Sequence, residues 1–255
     1  MGAVARPSPP LGITHVRDFM AFEDHVRNAR ARRGATVPDE WYLGPTYYHG
    51  TATTLVGDGA VVPHPTWTTR LDFELELACV IGEGAANIDA AGAERHIAGL
   101  TIFNDLSARD LQRREMAVGL GPSKSKDFAG AVGPRLVPLD ELLEVREGPG
   151  RWNLAMRARI NGCEVSHGTA ATMRWSFAEL IEHASRDCPL MPGELLGAGT
   201  VGGGCLLELG PGARPGPDGI PGSDGHDWLQ PGDVVELEVD RIGTLTTTIG
   251  EPATA

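Results

Sequence analysis

Leu71-Asp72-Phe73-Glu74-Leu75-Glu76-Leu77 alternates apolar and acidic residues, the pattern of a strand with two chemically different faces. Leu71, Phe73, Leu75 and Leu77 share one face, and Asp72, Glu74 and Glu76 share the other. Three carboxylates on one face repel one another unless water screens them or a cation neutralises them. The acidic face continues as Ala78 and Val80, so it is polar only at one end. The pattern predicts a partly buried strand with an acidic pocket at one end; the plain alternative is a solvated strand face.

At 255 residues the chain is long enough to bury a substantial core. With 41% hydrophobic and 22% charged residues it has the composition of a globular protein, not of a disordered one. A net charge of −12 and the lack of a basic stripe with interleaved aromatics argue against nucleic-acid binding. Arg27, Arg30, Arg32 and Arg33 form one short basic cluster, enough to draw in a small anion. Cys79, Cys163, Cys188 and Cys205 are widely spaced and form no C-x-x-C pair. A disulfide framework or zinc site is therefore not expected, and a reducing cytoplasm suits the chain. No run is long and apolar enough to span a membrane, and the first ten residues lack the apolar core of a signal peptide. A cytoplasmic protein is the expectation.

Phe19, Phe22, Val26 and Ala29 lie at helical spacing and predict a helix over 17–33, ended by Gly34. Further along, a strand is expected over 71–81, a helix from Ala90 to Ile97 and a strand from Leu100 to Phe103. Ser107 is placed to cap a helix running through Arg114. A strand over 154–160 runs into Asn161-Gly162, a strong hairpin signal. Trp175 to Ala184 reads as a helix and Cys205 to Leu209 as a short strand. The Pro-, Gly- and Asp-rich residues 210–227 form a long loop, and 234–239 with 244–249 make a closing hairpin. The sum is an α+β, β-dominated chain. Residues 1–58 form a leader, a first helix and a connecting segment, and 59–252 the catalytic part.

Carboxylates two residues apart on a strand, as Glu74 and Glu76 are, suit Mg²⁺, Mn²⁺ or Ca²⁺. Asp105 follows the apolar run Leu100-Thr101-Ile102-Phe103 and is the candidate third ligand, its alternative role being a helix cap. Arg109 and Gln112, three apart on the helix that follows, share a face and offer donors to a substrate carboxylate. Lys124 and Lys126 bracket Ser125 in a segment that by itself reads as a solvated loop. Gly197-x-Gly199-x-x-Gly202 matches the dinucleotide fingerprint, but the strand-like run after it rules that reading out, since the fingerprint needs a helix there. A turn that lets backbone N–H groups and Thr200 approach a ligand fits better. His25 flanks the apolar face of the first helix, and no Gly-x-Ser-x-Gly elbow supports a serine hydrolase.

In order, Leu71-Asp72-Phe73-Glu74-Leu75-Glu76, Asn104-Asp105-Leu106-Ser107-Ala108-Arg109-Asp110-Leu111-Gln112, Lys126-Asp127-Phe128 with Gly133-Pro134, Gly199-Thr200-Val201-Gly202 and Leu229-x-Pro231-Gly232-Asp233-Val234 resemble the fumarylacetoacetate hydrolase superfamily. The resemblance covers about residues 60 to 250. It implies a mixed β-roll, a homodimer, and Mg²⁺ or Mn²⁺ held by Glu74, Glu76 and Asp105. It also implies substrate contacts from Gln112, Lys126 and Thr200, with Arg109 in the same motif, and small anionic 1,3-diketo or 2-oxo acids as substrates. Such a cation polarises the enol oxygen, and Lys126 helps to hold the charge that develops there.

Two departures stand out. Many members with hydrolase or decarboxylase activity follow the lid histidine three residues later with Glu, whereas this chain reads His25-Val26-Arg27-Asn28. The Lys-Pro expected after a Pro-x-x-Phe segment is absent from Pro45-Thr46-Tyr47-Tyr48-His49-Gly50-Thr51. The leading expectation is C–C bond hydrolysis with His25 as base. The alternatives are a decarboxylase, hydratase or isomerase that needs no activated water, which the loss of the lid Glu favours, and a lapsed metal-binding scaffold.

Overall fold

The computed structural model describes residues 10–253, so the first nine residues of the Pro-rich leader lie outside it. His15–Phe19 is a strand, β1, and not the start of the predicted helix. Val16, Arg17, Asp18 and Phe19 are all buried because β1 lies between two other strands, a neighbourhood that local periodicity does not reveal. Helix α1 begins only at Glu23 and ends at Ala31. The short strands β2 (Tyr47–Gly50), β3 (Leu55–Val56), β4 (Ala60–Pro63) and β5 (Leu71–Asp72) follow. The single strand expected over 71–81 is interrupted at Phe73 and Glu74, leaves Leu71–Asp72 in a separate two-stranded pairing, and resumes as β6 (Leu75–Ile81), every residue of which is buried.

Ala90–His96 is a 3₁₀ helix where an α-helix was expected, and the strand after it, β7, spans Ile97–Asn104. Ser107 does not cap the next helix. Ser107–Ala108 is a strand, β8, paired with β5, and the Ser107 hydroxyl donates to the Asp105 carbonyl at 2.9 Å. Helix α2 (Arg109–Ala117) then leads to β9 (Gly130–Val137) and to the small β10–β11 pair (Arg146–Gly148 and Arg151–Trp152). The hairpin of β12 (Ala155–Ile160) and β13 (Cys163–Thr169) turns at Asn161-Gly162, both at positive φ as that turn requires. Helix α3 (Phe177–Ser185), with a Ser176–Glu179 capping box, precedes β14 (Glu194–Thr200).

The expected strand at Cys205–Leu209 is instead a single helical turn, α4 (Leu206–Leu209). The reason is tertiary: the buried Asp72 carboxylate accepts the backbone N–H groups of Leu206 and Leu207 at 2.8 and 3.1 Å and ties down the start of the turn. Residues 210–227 carry no helix or strand, yet Arg214 is buried there between Asp224 and Asp233. Strands β15 (Val234–Val239) and β16 (Gly243–Gly250) close the chain as a hairpin.

The strands form a seven-stranded sheet, β2-β1-β14-β6-β7-β9-β3, and a five-stranded sheet, β13-β12-β15-β16-β4. Leu75, Leu77, Cys79 and Ile81 of β6 pack in one core with Met156, Ala158, Leu237 and Leu245 of the second sheet. On its other face β6 gives Ala78 to a smaller cluster with Val16, Phe103 and Leu195. The acidic end of that second face, at Glu76, is left to a cavity. The strand-rich mixed α+β fold is thus the one expected. No helix among the described residues is long and apolar enough to cross a membrane.

Candidate active site

Four carboxylates converge at one end of the central strands of the large sheet. Asp18 comes from β1, Glu76 from β6, Glu74 from the residue before β6, and Asp105 from the residue after β7. An oxygen from each lies within 4.8 Å of the others, and none of the four residues is more than 5% exposed. The sequence motifs brought together Glu74, Glu76 and Asp105 but missed Asp18, which fell inside the mispredicted helix. Strand pairing carries it in: Asp18 lies opposite Gly197 of β14, which in turn lies opposite Ala78 of β6. Gly197 is the spacer this requires. A Cβ there would collide with Asp18 Oδ1 and come within 2.9 Å of Glu76 Oε2.

Lys126 is buried in the cluster, not solvated. Its ammonium donates to Glu74 Oε2 at 2.5 Å and also bonds Asp105 Oδ2. The segment bearing it is folded back by Glu115, whose carboxylate accepts from the Ser123 N–H at 2.9 Å and the Ser125 hydroxyl at 2.6 Å. Tyr48, which sequence reasoning did not single out, donates its hydroxyl to Asp105 Oδ2 at 2.7 Å. Arg109 lines the cavity, but its guanidinium is engaged. It bonds Asp72 at 2.8 Å, pairs with Glu74 at 2.7 Å and donates to the Gln112 side-chain oxygen at 3.1 Å. The Thr200 hydroxyl donates to Glu76 Oε1 at 3.4 Å.

Charge in this cluster does not balance. Asp18, Glu74, Glu76 and Asp105, with Asp72 behind them, face the buried cations Lys126 and Arg109. Burial, then repulsion from neighbouring carboxylates, pushes Asp18 and Glu76 well above the usual carboxylate range. Asp105 is raised by burial too, partly offset by Lys126. Burial acts on Glu74 in the same direction, but Lys126 and Arg109 outweigh it and hold this carboxyl below its ordinary range. Asp18 Oδ1 and Glu76 Oε2 are buried without a hydrogen-bond partner. An all-oxygen set with surplus negative charge and orphaned oxygens fits a hard divalent cation.

Beside this cluster, α1 places His25 against α4. His25 Nδ1 lies 2.6 Å from Glu208 Oε1, and the other carboxylate oxygen accepts from Asn28 Nδ2 at 2.9 Å and from the Gly203 N–H at 2.8 Å. Burial raises the Glu208 pKa, but the bond and charge of His25 outweigh it, so Glu208 lies below its ordinary range. A carboxylate thus meets His25 although position 28 carries an amide. Sequence reasoning missed Glu208 because it lies 183 residues from His25, in a segment that reads as a strand.

A cavity of about 380 Å³ joins the two groups. Glu76, Lys126, Gln112, Thr200 and His25 line its polar side, and Met20, Val26, Met116 and Leu207 its apolar side. Its size suits a small organic acid.

The sequence model described as fumarylacetoacetate (FAA) hydrolase C-terminal matches residues 14–250. Fumarylacetoacetase of Arabidopsis thaliana is 32% identical over 250 residues, covering 78% of this chain and 59% of that protein. Oxaloacetate tautomerase YisK of Bacillus subtilis is 35% identical over 207 residues, covering 81% of this chain and 61% of its own. The chain thus spans about three-fifths of the length of these curated relatives. Among solved structures, fumarylpyruvate hydrolase from Pseudomonas aeruginosa, in complex with Mn²⁺ and pyruvate, superposes with a TM-score of 0.72. The match covers 98% of this chain and 100% of that one at 22% identity, a likeness of fold.

Proposed function

The chain belongs to the fumarylacetoacetate hydrolase family, and on that premise we propose that it is a divalent-metal-dependent hydrolase cleaving a C–C bond in a small 1,3-diketo or 2-oxo acid. The observation that carries the hydrolytic reading is the 2.6 Å contact of Glu208 with His25, which lines the same cavity as Asp18, Glu74 and Glu76. Mg²⁺ or Mn²⁺ held by Asp18, Glu74, Glu76 and Asp105 would supply Lewis-acid polarisation of the chelated substrate oxygens. Lys126, fixed by Glu74 and Asp105, sets a positive charge beside the enolate oxygen as it develops. Gln112 and Thr200 line the same wall and orient the acid. With Nδ1 bound to Glu208, His25 keeps Nε2 to take a proton from water, and Glu208 stabilises the imidazolium that forms. Water attacks the carbonyl carbon, the adjacent C–C bond breaks, and His25 returns the proton to the departing carbon.

A second reading, tautomerisation or decarboxylation, is favoured by the likeness to the Bacillus subtilis tautomerase. It uses the cation and Lys126 without activated water. The Mn²⁺-loaded protein offered acylpyruvates, β-keto acids and oxaloacetate separates the two. Hydrolysis products lost in both Glu76→Ala and His25→Ala support the first reading. Turnover that survives His25→Ala but not Glu76→Ala replaces it with the second. The homodimer implied by the family belongs to the same proposal, and sedimentation of the full chain tests it.

A further inference from the structure

Asn28 sits one helical turn after His25, at the position where a carboxylate would complete the dyad within α1. Its amide is nevertheless engaged at the dyad. Asn28 Nδ2 and the Gly203 N–H both donate to Glu208 Oε2, while His25 meets Oε1, so each end of the carboxylate is held. Arg32, on the same face of the helix, donates to the backbone carbonyls of Glu208 at 2.6 Å and Leu209 at 2.9 Å, closing the free end of α4. His25, Asn28 and Arg32 thus grip one glutamate on one short turn.

We propose that Asn28 is a positioning residue, aiming Glu208 at His25, and that positions 28 and 208 form a reciprocal pair in which one side must be a carboxylate and the other an amide. The inference rests on the hydrolytic reading above and adds the device that orients its base. A carboxylate only accepts hydrogen bonds, and Glu208 Oε2 takes two, from the Gly203 N–H and from the Asn28 amide, the one side-chain donor to that oxygen among the described residues. The substitution Asn28→Glu would set a second acceptor against it and drive the two apart. Adding Glu208→Gln reverses the polarity. The carboxylate now at position 28 accepts from both His25 and the amide at position 208, and the dyad reforms within α1.

The test uses the full chain loaded with Mg²⁺, which is diamagnetic and leaves nearby protons observable, as wild type, Asn28→Glu, Glu208→Gln and the double variant. Three readouts are taken: kcat and KM for the hydrolysed acid, the low-field NMR signal of the His25 Nδ1 proton, and Mg²⁺ binding with a thermal melt to show that each variant is folded. Each single variant is expected to lose about a hundredfold in kcat, within the range for impaired general base catalysis, with KM nearly unchanged and the low-field proton lost. The double variant is expected to regain that proton and at least about tenfold in kcat over the better single variant. A merely structural role for Asn28 gives no such recovery, so a double variant no better than either single overturns the proposal. Asn28→Glu with wild-type kcat and an intact proton signal overturns it too. If the proton signal follows the expected pattern while no form of the protein, wild type included, hydrolyses any acid offered, the hydrolytic reading fails and the positioning of Glu208 stands.

Discussion

Asp18, Glu74, Glu76 and Asp105 lie in or directly beside β1, β6 and β7 of one sheet, whereas His25 and Glu208 are carried by a nine-residue helix and a four-residue helix beside it. The carboxylates sit at the ends of strands whose other faces are full of Leu, Ile and Phe, so moving one means moving the core. The dyad is held by a handful of polar contacts between side chains, each open to replacement without disturbing either sheet. A carboxylate cluster built this way is rigid and hard to lose. The His25–Glu208 pair is adjustable by comparison, its carboxylate reaching the histidine from α4 and not from α1.

The contrast is tested most forcefully by comparing Glu76→Ala with Glu208→Gln. Glu76→Ala is expected to lower kcat/KM roughly a thousandfold, the scale of losing a major electrostatic stabiliser, and to weaken Mn²⁺ binding in calorimetry. Glu208→Gln is expected to lower kcat by about a hundredfold with Mn²⁺ affinity unchanged. If both variants lost metal binding alike, the two regions would not be separable.

Gly197→Ala tests the rigidity of the cradle. Its methyl meets Asp18 and Glu76, so the folded state should be destabilised by about 1–3 kcal/mol and Mn²⁺ affinity should fall, with the low-field proton of His25 unaffected. A smaller effect follows from pH in the metal-free protein. Asp18, Glu76 and Asp105 have raised folded-state pKa values, so the folded state binds protons more tightly than the unfolded chain. Their stabilising protonation is present at low pH and is lost as pH rises above about 4. Glu74, with a depressed pKa, acts oppositely but only below that range. Melting temperature with chelator present should therefore fall by a few degrees between about pH 5 and pH 8. Glu76→Gln should flatten the slope, and Mn²⁺ should remove it. A flat profile for the metal-free wild type would show that the carboxylates are not in fact crowded.

The two regions were also unequally legible in the sequence. Leu71 to Leu77 could be read because period-two alternation is a local signal and because both faces of β6 are used. Asp105, Gln112, Lys126 and Thr200 were reachable through the order of the motifs, and the Asn161-Gly162 turn through its backbone chemistry. Asp18 was hidden by Phe19, Phe22 and Val26, whose spacing is helical although Phe19 lies in a strand. Glu208 was hidden because α4 owes its turn to the Asp72 carboxylate, remote in sequence. The same Asp72 was legible as one tooth of the acidic strip, but its engagement with α4 and Arg109 was not. Asn28 was read as a missing carboxylate, and the contact of His25 with Glu208 was out of reach because it comes from tertiary structure.

The distance along the chain between His25 and Glu208 also sets an order of events during synthesis. β1 carries Asp18 and pairs with β14, which ends at Thr200. A ribosome that has reached Lys126 has already produced His25, Glu74, Glu76 and Asp105. Until β14 emerges, Asp18 lacks the strand that carries it to Glu76, and until α4 follows, the histidine has no carboxylate. The histidine thus gains its carboxylate within a few residues of the point at which the four-carboxylate cluster itself is completed.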